Sequence, residues 1–170
     1  LRKVYIGLTN VEKDLDYIVY DWRSPIASLF YDYGIGKAKY EAPEGEINGD
    51  ISLRRQYKIE NNKLVRVFDN DLNVVDECLQ EVLSEKSSDK MKNIVNTIQE
   101  EQNEIIRNTK NKHLIVQGIA GSGKTSVALH RIAFLLYKIK NLRSSNVLIF
   151  SPNNVFSEYI SDVLPELGEE

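Results

Sequence analysis

Up to about Asp69, apolar and aromatic residues come in short runs separated by polar or glycine-bearing turns, a texture that predicts β-structure. Val4-Tyr5-Ile6-Gly7 and Tyr17-Ile18-Val19-Tyr20 are compact, rich in β-branched and aromatic residues, and read as strands with a polar turn from Thr9 to Asp16 between them. Pro25 opens Ile26 to Tyr31, a run that fits a helical turn or an edge strand. Gly34, Gly36, Pro43, Gly45 and Gly49 then predict tight turns. From Glu46 to Asp69 the pattern predicts a hairpin. Ile47, Ile51, Leu53, Tyr57 and Ile59 fall on alternate positions, and Asn61-Asn62 supplies a pair tolerant of left-handed φ. Arg54, Arg55, Lys58, Lys63 and Arg66 decorate it, as a solvated face or a contact for a partner.

At Leu72 the period changes to helical. Leu72, Val75, Leu79, Val82 and Leu83 make an amphipathic stripe, followed by a polar linker from Ser84 to Asp89. A second helix is predicted from Lys90 to about Thr109, with a break near Thr97. His113 to Gln117 reads as a buried strand, and Val127, Ala128, Ile132, Leu135, Leu136 and Ile139 set a helix from Thr125 to about Lys140. Val147-Leu148-Ile149-Phe150 is a further strand candidate. After it, Val155, Phe156, Tyr159, Ile160, Val163 and Leu164 mark a helix capped by Asn153 or Asn154. Strand, helix, strand, helix implies an α/β fold with a parallel sheet and a right-handed crossover. The chain therefore divides into a β-rich segment at 1–70, a helical connector at 71–110, and the incomplete start of an α/β domain at 111–170.

Composition narrows the class only modestly. With 42% hydrophobic and 28% charged residues, the 170-residue chain reads as a globular protein. No apolar run approaches the roughly 20 residues needed to span a bilayer, and no basic-then-apolar leader opens the chain, so a membrane role is not expected. One cysteine (Cys78) and two histidines (His113 and His130) exclude an internal disulfide and offer no zinc cluster. A cytoplasmic setting fits. The net charge of −3 argues against a chain-wide basic surface, although the stretch from Asn93 to Ser157 carries more Lys and Arg than Asp and Glu. The start at Leu1 and the end at Glu170 read as cuts within a larger polypeptide.

The chemistry concentrates in Gly118-Ile119-Ala120-Gly121-Ser122-Gly123-Lys124-Thr125, which fits the G-x-x-x-x-G-K-[ST] phosphate-binding loop, or Walker A motif. Glycines let the backbone wrap an anion closely. Amides from about Gly121 to Thr125 are expected to face it at the positive end of a helix, where Ser126 also sits. Lys124 is placed for the β- and γ-phosphates, and the Thr125 hydroxyl for Mg²⁺. The strand–loop–helix order is the context this motif requires. No guanine-reading Asn-Lys-x-Asp is present, since Asn62-Lys63-Leu64-Val65 lacks the aspartate.

The stretch Ile98-Gln99-Glu100-Glu101-Gln102-Asn103-Glu104-Ile105-Ile106, followed by a strand and the loop, resembles the opening of superfamily 1 helicases of the Rep/UvrD type. That resemblance implies a RecA-like P-loop NTPase domain and ATP with Mg²⁺. It makes Gln102, about twenty residues before the loop lysine, the reader of the adenine edge, with Gln99 the alternate. Tyr5-Ile6-Gly7, Asp21-Trp22-Arg23-Ser24-Pro25-Ile26-Ala27-Ser28-Leu29, Tyr40-Glu41-Ala42-Pro43, Leu53-Arg54-Arg55-Gln56 and Leu164-Pro165-Glu166-Leu167-Gly168 look like the HelD-type UvrD-like proteins.

Membership in that branch implies an ATP-driven bacterial factor that binds RNA polymerase and helps release it from nucleic acid. It also places Ser151, Asn153 and Asn154 near single-stranded nucleic acid, with Phe156 either stacking on a base or packing in the core. Lys124 and Thr125 are the expected catalytic contributions, while the acidic residues for magnesium and water are expected beyond Glu170. The chain alone is then expected to bind ATP at most, whereas the whole protein is an ATPase. The alternative is a non-catalytic RNA polymerase-binding module with a regulatory nucleotide site.

Overall fold

The computed structural model describes residues 2–69, 89–154, 157, 158, 160 and 161, with backbone alone for 89–97. The helix expected from Leu72, the linker that follows it, Cys78, and the side chains of Met91, Ile94, Val95, Val155, Phe156, Tyr159, Val163 and Leu164 lie outside the described residues. The chain packs as two compact units, residues 1–23 with 102–170 and residues 24–101.

In the first unit, β1 (Tyr5–Gly7) pairs in parallel with β3 (Asp16–Asp21), and β2 (Val11–Lys13) pairs antiparallel on the other side of β3. The strands at β1 and β3 follow their β-branched and aromatic runs. The intervening segment, expected as a plain turn, forms β2 instead. The reason is local: Asp14 and Leu15 both adopt positive φ (53° and 69°) and close a two-residue reversal before β3. Gly7 is required where it is, because a Cβ there would lie 2.9 Å from Val19 Cγ1 on the paired strand.

The second unit opens with a 3₁₀ turn at Pro25–Ala27 that runs into α1 (Ser28–Asp32), so Pro25 starts a helical segment. Two hairpins follow. β4 (Gly36–Ala42) pairs with β5 (Gly45–Ile51), and β6 (Arg55–Glu60) pairs with β7 (Lys63–Asp69). The single hairpin expected from Glu46 to Asp69 is thus divided. Residues 47–51 pair backwards with β4, across the turn at Pro43 and Glu44, and Gly49 lies inside β5 rather than in a turn. The Asn61-Asn62 reversal does have positive φ at both residues (49° and 60°). Arg54 is not solvated. It is buried, donating from Nη2 to the Phe30 carbonyl at 3.0 Å with its guanidinium 4.7 Å from the Phe30 ring.

Returning to the first unit, α2 (Asp89–Arg107) ends there and is continuous through Thr97, where a break was expected. α3 (Lys124–Lys138) begins at the end of the glycine loop. Its buried side chains are Val127, Leu129, Ala133 and Phe134, a face rotated from the expected stripe, with Ala128 and Ile139 exposed. The rotation follows from what α3 packs against. The Arg107 guanidinium lies 5.3 Å from the Phe134 ring, and Arg131 bonds the end of α2.

The parallel sheet expected from 113–117 and 147–150 is not formed among the described residues. Neither run has a ladder partner among the described residues, and the two do not pair with each other. A strand is defined by its neighbour, and without one these runs leave several of their apolar side chains in solvent. Ile115 is 92% exposed, Leu148 77% and Phe150 89%. The architecture shown is α/β, with three small sheets and a few helices.

Candidate functional site

The loop before α3 carries its conformation in its glycines. Gly121 and Gly123 both have φ of 79°, left-handed backbone that side chains rarely adopt. Gly118 is constrained by space: a Cβ there would sit 2.5 Å from Ser122 Oγ. Ser122 N donates to the Ile119 carbonyl at 3.3 Å and tightens the turn.

Gly123 caps α3, whose first backbone bond runs from Val127 N to the Gly123 carbonyl at 2.9 Å. The amides of Lys124, Thr125 and Ser126 therefore precede any carbonyl the helix can offer them. No acidic side chain stands in that first turn to offset the positive end of the helix. The Lys124 ammonium folds back over the loop, 2.9 Å from the Gly118 carbonyl, 2.6 Å from that of Ile119 and 3.5 Å from Ser122 Oγ. Lys124 and Thr125 are half-buried, while Gly121, Ser122 and Ser126 are exposed.

Gln102 reaches this loop from α2. Its Nε2 lies 3.4 Å from the Ser122 carbonyl, and a Cβ on Gly123 would meet that nitrogen at 3.1 Å. Gln102, Gly118, Gly121, Ser122, Gly123, Lys124, Thr125 and Ser126 thus form one locus. Gln99 lies on the same helix one turn earlier, within the other compact unit. Ser151, Asn153 and Asn154 lie in the segment after the 147–150 run: Ser151 Oγ donates to the Asn153 carbonyl at 2.7 Å, and both asparagines are exposed.

Around this locus lies a polar frame that the hydrophobic pattern did not disclose. Asp21 and Arg23 form a buried ion pair, with Arg23 Nε 2.9 Å from Oδ1 and Nη2 2.7 Å from Oδ2. The Arg23 guanidinium also covers the Tyr137 ring of α3 at 4.9 Å. Trp22 meets His130 of α3 edge-on, with ring centroids 5.6 Å apart. Arg107 Nη2 donates to the Trp22 carbonyl at 2.7 Å, and its Nε donates to Asn103 Oδ1 at 3.2 Å. Charged residues in an otherwise aromatic run, Asp21 to Arg23, are the one sequence signal that could have marked these positions.

Among the described residues, no group of three or more His, Cys, Asp or Glu side chains could hold a metal ion. No described helix is long and apolar enough to cross a membrane.

None of the curated proteins matches the chain. The family model described as DNA helicase IV HelD, N-terminal domain, matches residues 2–86, half of the sequence. That span covers β1 to β7 and includes Asp21-Trp22-Arg23 and the Arg54 contact, features whose side chains pack specifically. On that match, the chain belongs to the DNA helicase IV HelD family.

Proposed function

We propose that this chain carries the phosphate-binding half of an ATP-driven HelD-type helicase or translocase that acts on nucleic acid and RNA polymerase. One observation carries the reading. Two glycines at φ of 79°, a lysine ammonium held over the loop carbonyls, and three amides at an acid-free helix start all converge on residues 118–126. Such a concavity of backbone donors suits a phosphate chain.

The residues present fit Mg²⁺-ATP. A side chain at Gly118 or Gly123 would fill the cradle, and the Lys124 ammonium bonds only weak neutral acceptors that a phosphate oxygen would outcompete. Bound ATP supplies the phosphoanhydride whose cleavage drives motion. Lys124 would hold the β- and γ-phosphates, the Thr125 hydroxyl would take a place on Mg²⁺, and the amides from Gly121 to Ser126 would orient the phosphates. Gln102, already against the loop, would offer its amide to the adenine edge, where an amide can both donate and accept. Ser151, Asn153 and Asn154 are proposed to meet nucleic-acid phosphates. Hydrolysis further requires acids to place Mg²⁺ and the attacking water, so these residues alone bind rather than turn over ATP.

The test is ATP hydrolysis by the HelD-family protein with and without RNA polymerase, beside Lys124→Ala. Polymerase-stimulated turnover lost in the variant supports the motor. Equal hydrolysis in the variant rejects the loop assignment. ADP binding with no turnover in either protein supports the regulatory, non-catalytic alternative.

A further inference from the structure

The frame around the loop has one hub. Trp22 is held from three directions: its amide donates to the Gly7 carbonyl at the end of β1 at 2.9 Å, its carbonyl accepts from Arg107 at 2.7 Å, and its ring abuts His130 at 5.6 Å between centroids. The last two of these contacts lead toward residues 118–126. His130 Nδ1 lies 2.8 Å from the Ser126 carbonyl and 3.4 Å from Ser126 Oγ, in the first turn of α3 directly after Thr125. Arg107 grips buried Asn103, the neighbour of Gln102, and Gln102 Nε2 faces the Ser122 carbonyl. Two short chains of contacts therefore run from one residue to both sides of the same loop, one from its ring through His130 and one from its backbone carbonyl through Arg107.

We infer that the Trp22 ring is a positioning group for the 118–126 loop, acting on the first turn of α3 through His130, while the Trp22 backbone carbonyl anchors the Arg107 that holds Asn103 beside Gln102. The physical reason lies in the loop's own weakness. Its residues are mostly exposed and its internal bonds are few, so its shape depends on what fixes α3 and α2 at its two flanks. The indole supplies a rigid wedge at one flank, with an edge-to-face contact that restrains the imidazole. The His130 ring, so restrained, keeps its donor on the Ser126 carbonyl and fixes the pitch at which Lys124 and Thr125 enter the helix. Displacing the β1–β3 sheet, for instance by a partner, would then change the loop without touching it.

The nucleotide part of this inference rests on the function proposed above; the positioning part does not. The experiment separates them. Amide hydrogen exchange of residues 121–127 is compared in wild type, Trp22→Phe and Trp22→Leu, and Mg²⁺-ADP binding is measured on the same proteins. Trp22→Phe keeps an aromatic edge and is expected to exchange like wild type. Trp22→Leu is expected to raise exchange at 124–127 by about tenfold, a local opening, while residues 133–138 stay unchanged. A uniform rise along α3 means general destabilisation and overturns the inference, as does wild-type exchange in the leucine variant.

Where Trp22→Leu fails to fold, His130→Leu decides. It keeps an apolar neighbour for the indole but has no donor for Ser126, so the same local rise is expected and its absence overturns the inference. Mg²⁺-ADP should bind Trp22→Leu about tenfold more weakly, a loss equivalent to one transmitted contact, and Trp22→Phe within about twofold. Trp22 is the one tryptophan of these 170 residues, so in this chain ADP should also shift the intrinsic emission of wild type but not of Lys124→Ala. If wild type binds no ADP, the nucleotide reading fails and the exchange comparison still decides the positioning role.

Discussion

Arg131 of α3 donates from Nη1 to the carbonyl oxygen of Ile105, 2.7 Å away in the last turn of α2. The final carbonyls of a helix lack partners within it and carry partial negative charge, so a guanidinium there both caps and neutralises. Replacing Arg131 with Met keeps the aliphatic stem and removes the cap. The expected loss is about 1–2 kcal/mol in urea unfolding, with Arg131→Lys recovering part of it. An unchanged midpoint in Arg131→Met would show that the cap contributes nothing.

The Asp21–Arg23 pair predicts a larger effect. Asp21 is 2% exposed and Arg23 6%, and the carboxylate also accepts the Arg23 backbone amide at 2.8 Å. Asp21→Ala removes a buried carboxylate from two guanidinium hydrogen bonds and a backbone amide, and is expected to cost about 3–5 kcal/mol. Replacing both residues together, Asp21→Ala with Arg23→Met, should cost less than Asp21→Ala alone. Equilibrium denaturation of the three proteins measures the difference.

Turn chemistry gives a prediction of opposite sign. Asn62 sits at φ of 60° in the β6–β7 reversal. Asn62→Gly relieves the left-handed strain and is expected to hold or raise the thermal midpoint. Asn62→Val, β-branched in the same conformation, should lower stability by about 1–2 kcal/mol. Equal midpoints for Gly and Val would mean that the turn is not formed in solution.

The same hairpin predicts a pH response. Arg55 and Asp69 are register partners joined by two side-chain hydrogen bonds. Hydrogen bonding from the guanidinium, reinforced by its charge, holds the Asp69 carboxyl below the usual carboxylate range. A lowered carboxylate stabilises the fold above its ordinary midpoint, and that contribution fades as pH falls through the lowered one. Both groups face solvent, so the effect is small and salt-sensitive. A carboxyl NMR titration should find Asp69 titrating low in wild type and moving upward in Arg55→Gln or in high salt.

Exposed Leu148 and Phe150 predict self-association. Apolar segments without a ladder partner among the described residues offer their backbone groups and side chains to other chains. Replacing both residues with Lys should reduce concentration-dependent light scattering while leaving ADP binding intact. Undiminished scattering would place the sticky surface elsewhere.

Local conformation was the most legible property in the sequence. Asn61-Asn62, the β-branched runs at β1 and β3, and the helix after Thr125 each depend on neighbours a few residues away. Pairing was less legible, because Ile47 and Ile51 alternate equally well whether they pair forwards or back to β4. The positions of Arg54, Arg107 and Arg131 were hidden for a related reason. A long cation looks solvated in any hydrophobicity pattern, and only the fold reveals a carbonyl or ring waiting at its tip. Within the candidate site, the glycines and Lys124 announced themselves, whereas Trp22 stood out only as part of the Asp21-to-Leu29 run. Its part emerges only once His130 and Arg107 are brought to it from distant positions in the chain.

The alternation at 147–151 has one more consequence. Val147, Ile149 and Ser151 are half-covered, while Leu148 and Phe150 stand in solvent, so this segment already has an inside and an outside. A shift by one residue would exchange them. Any strand that comes to lie beside it therefore meets a template whose sidedness is settled in advance, and the newcomer's register decides only which of its own side chains join Val147 and Ile149 on the covered face.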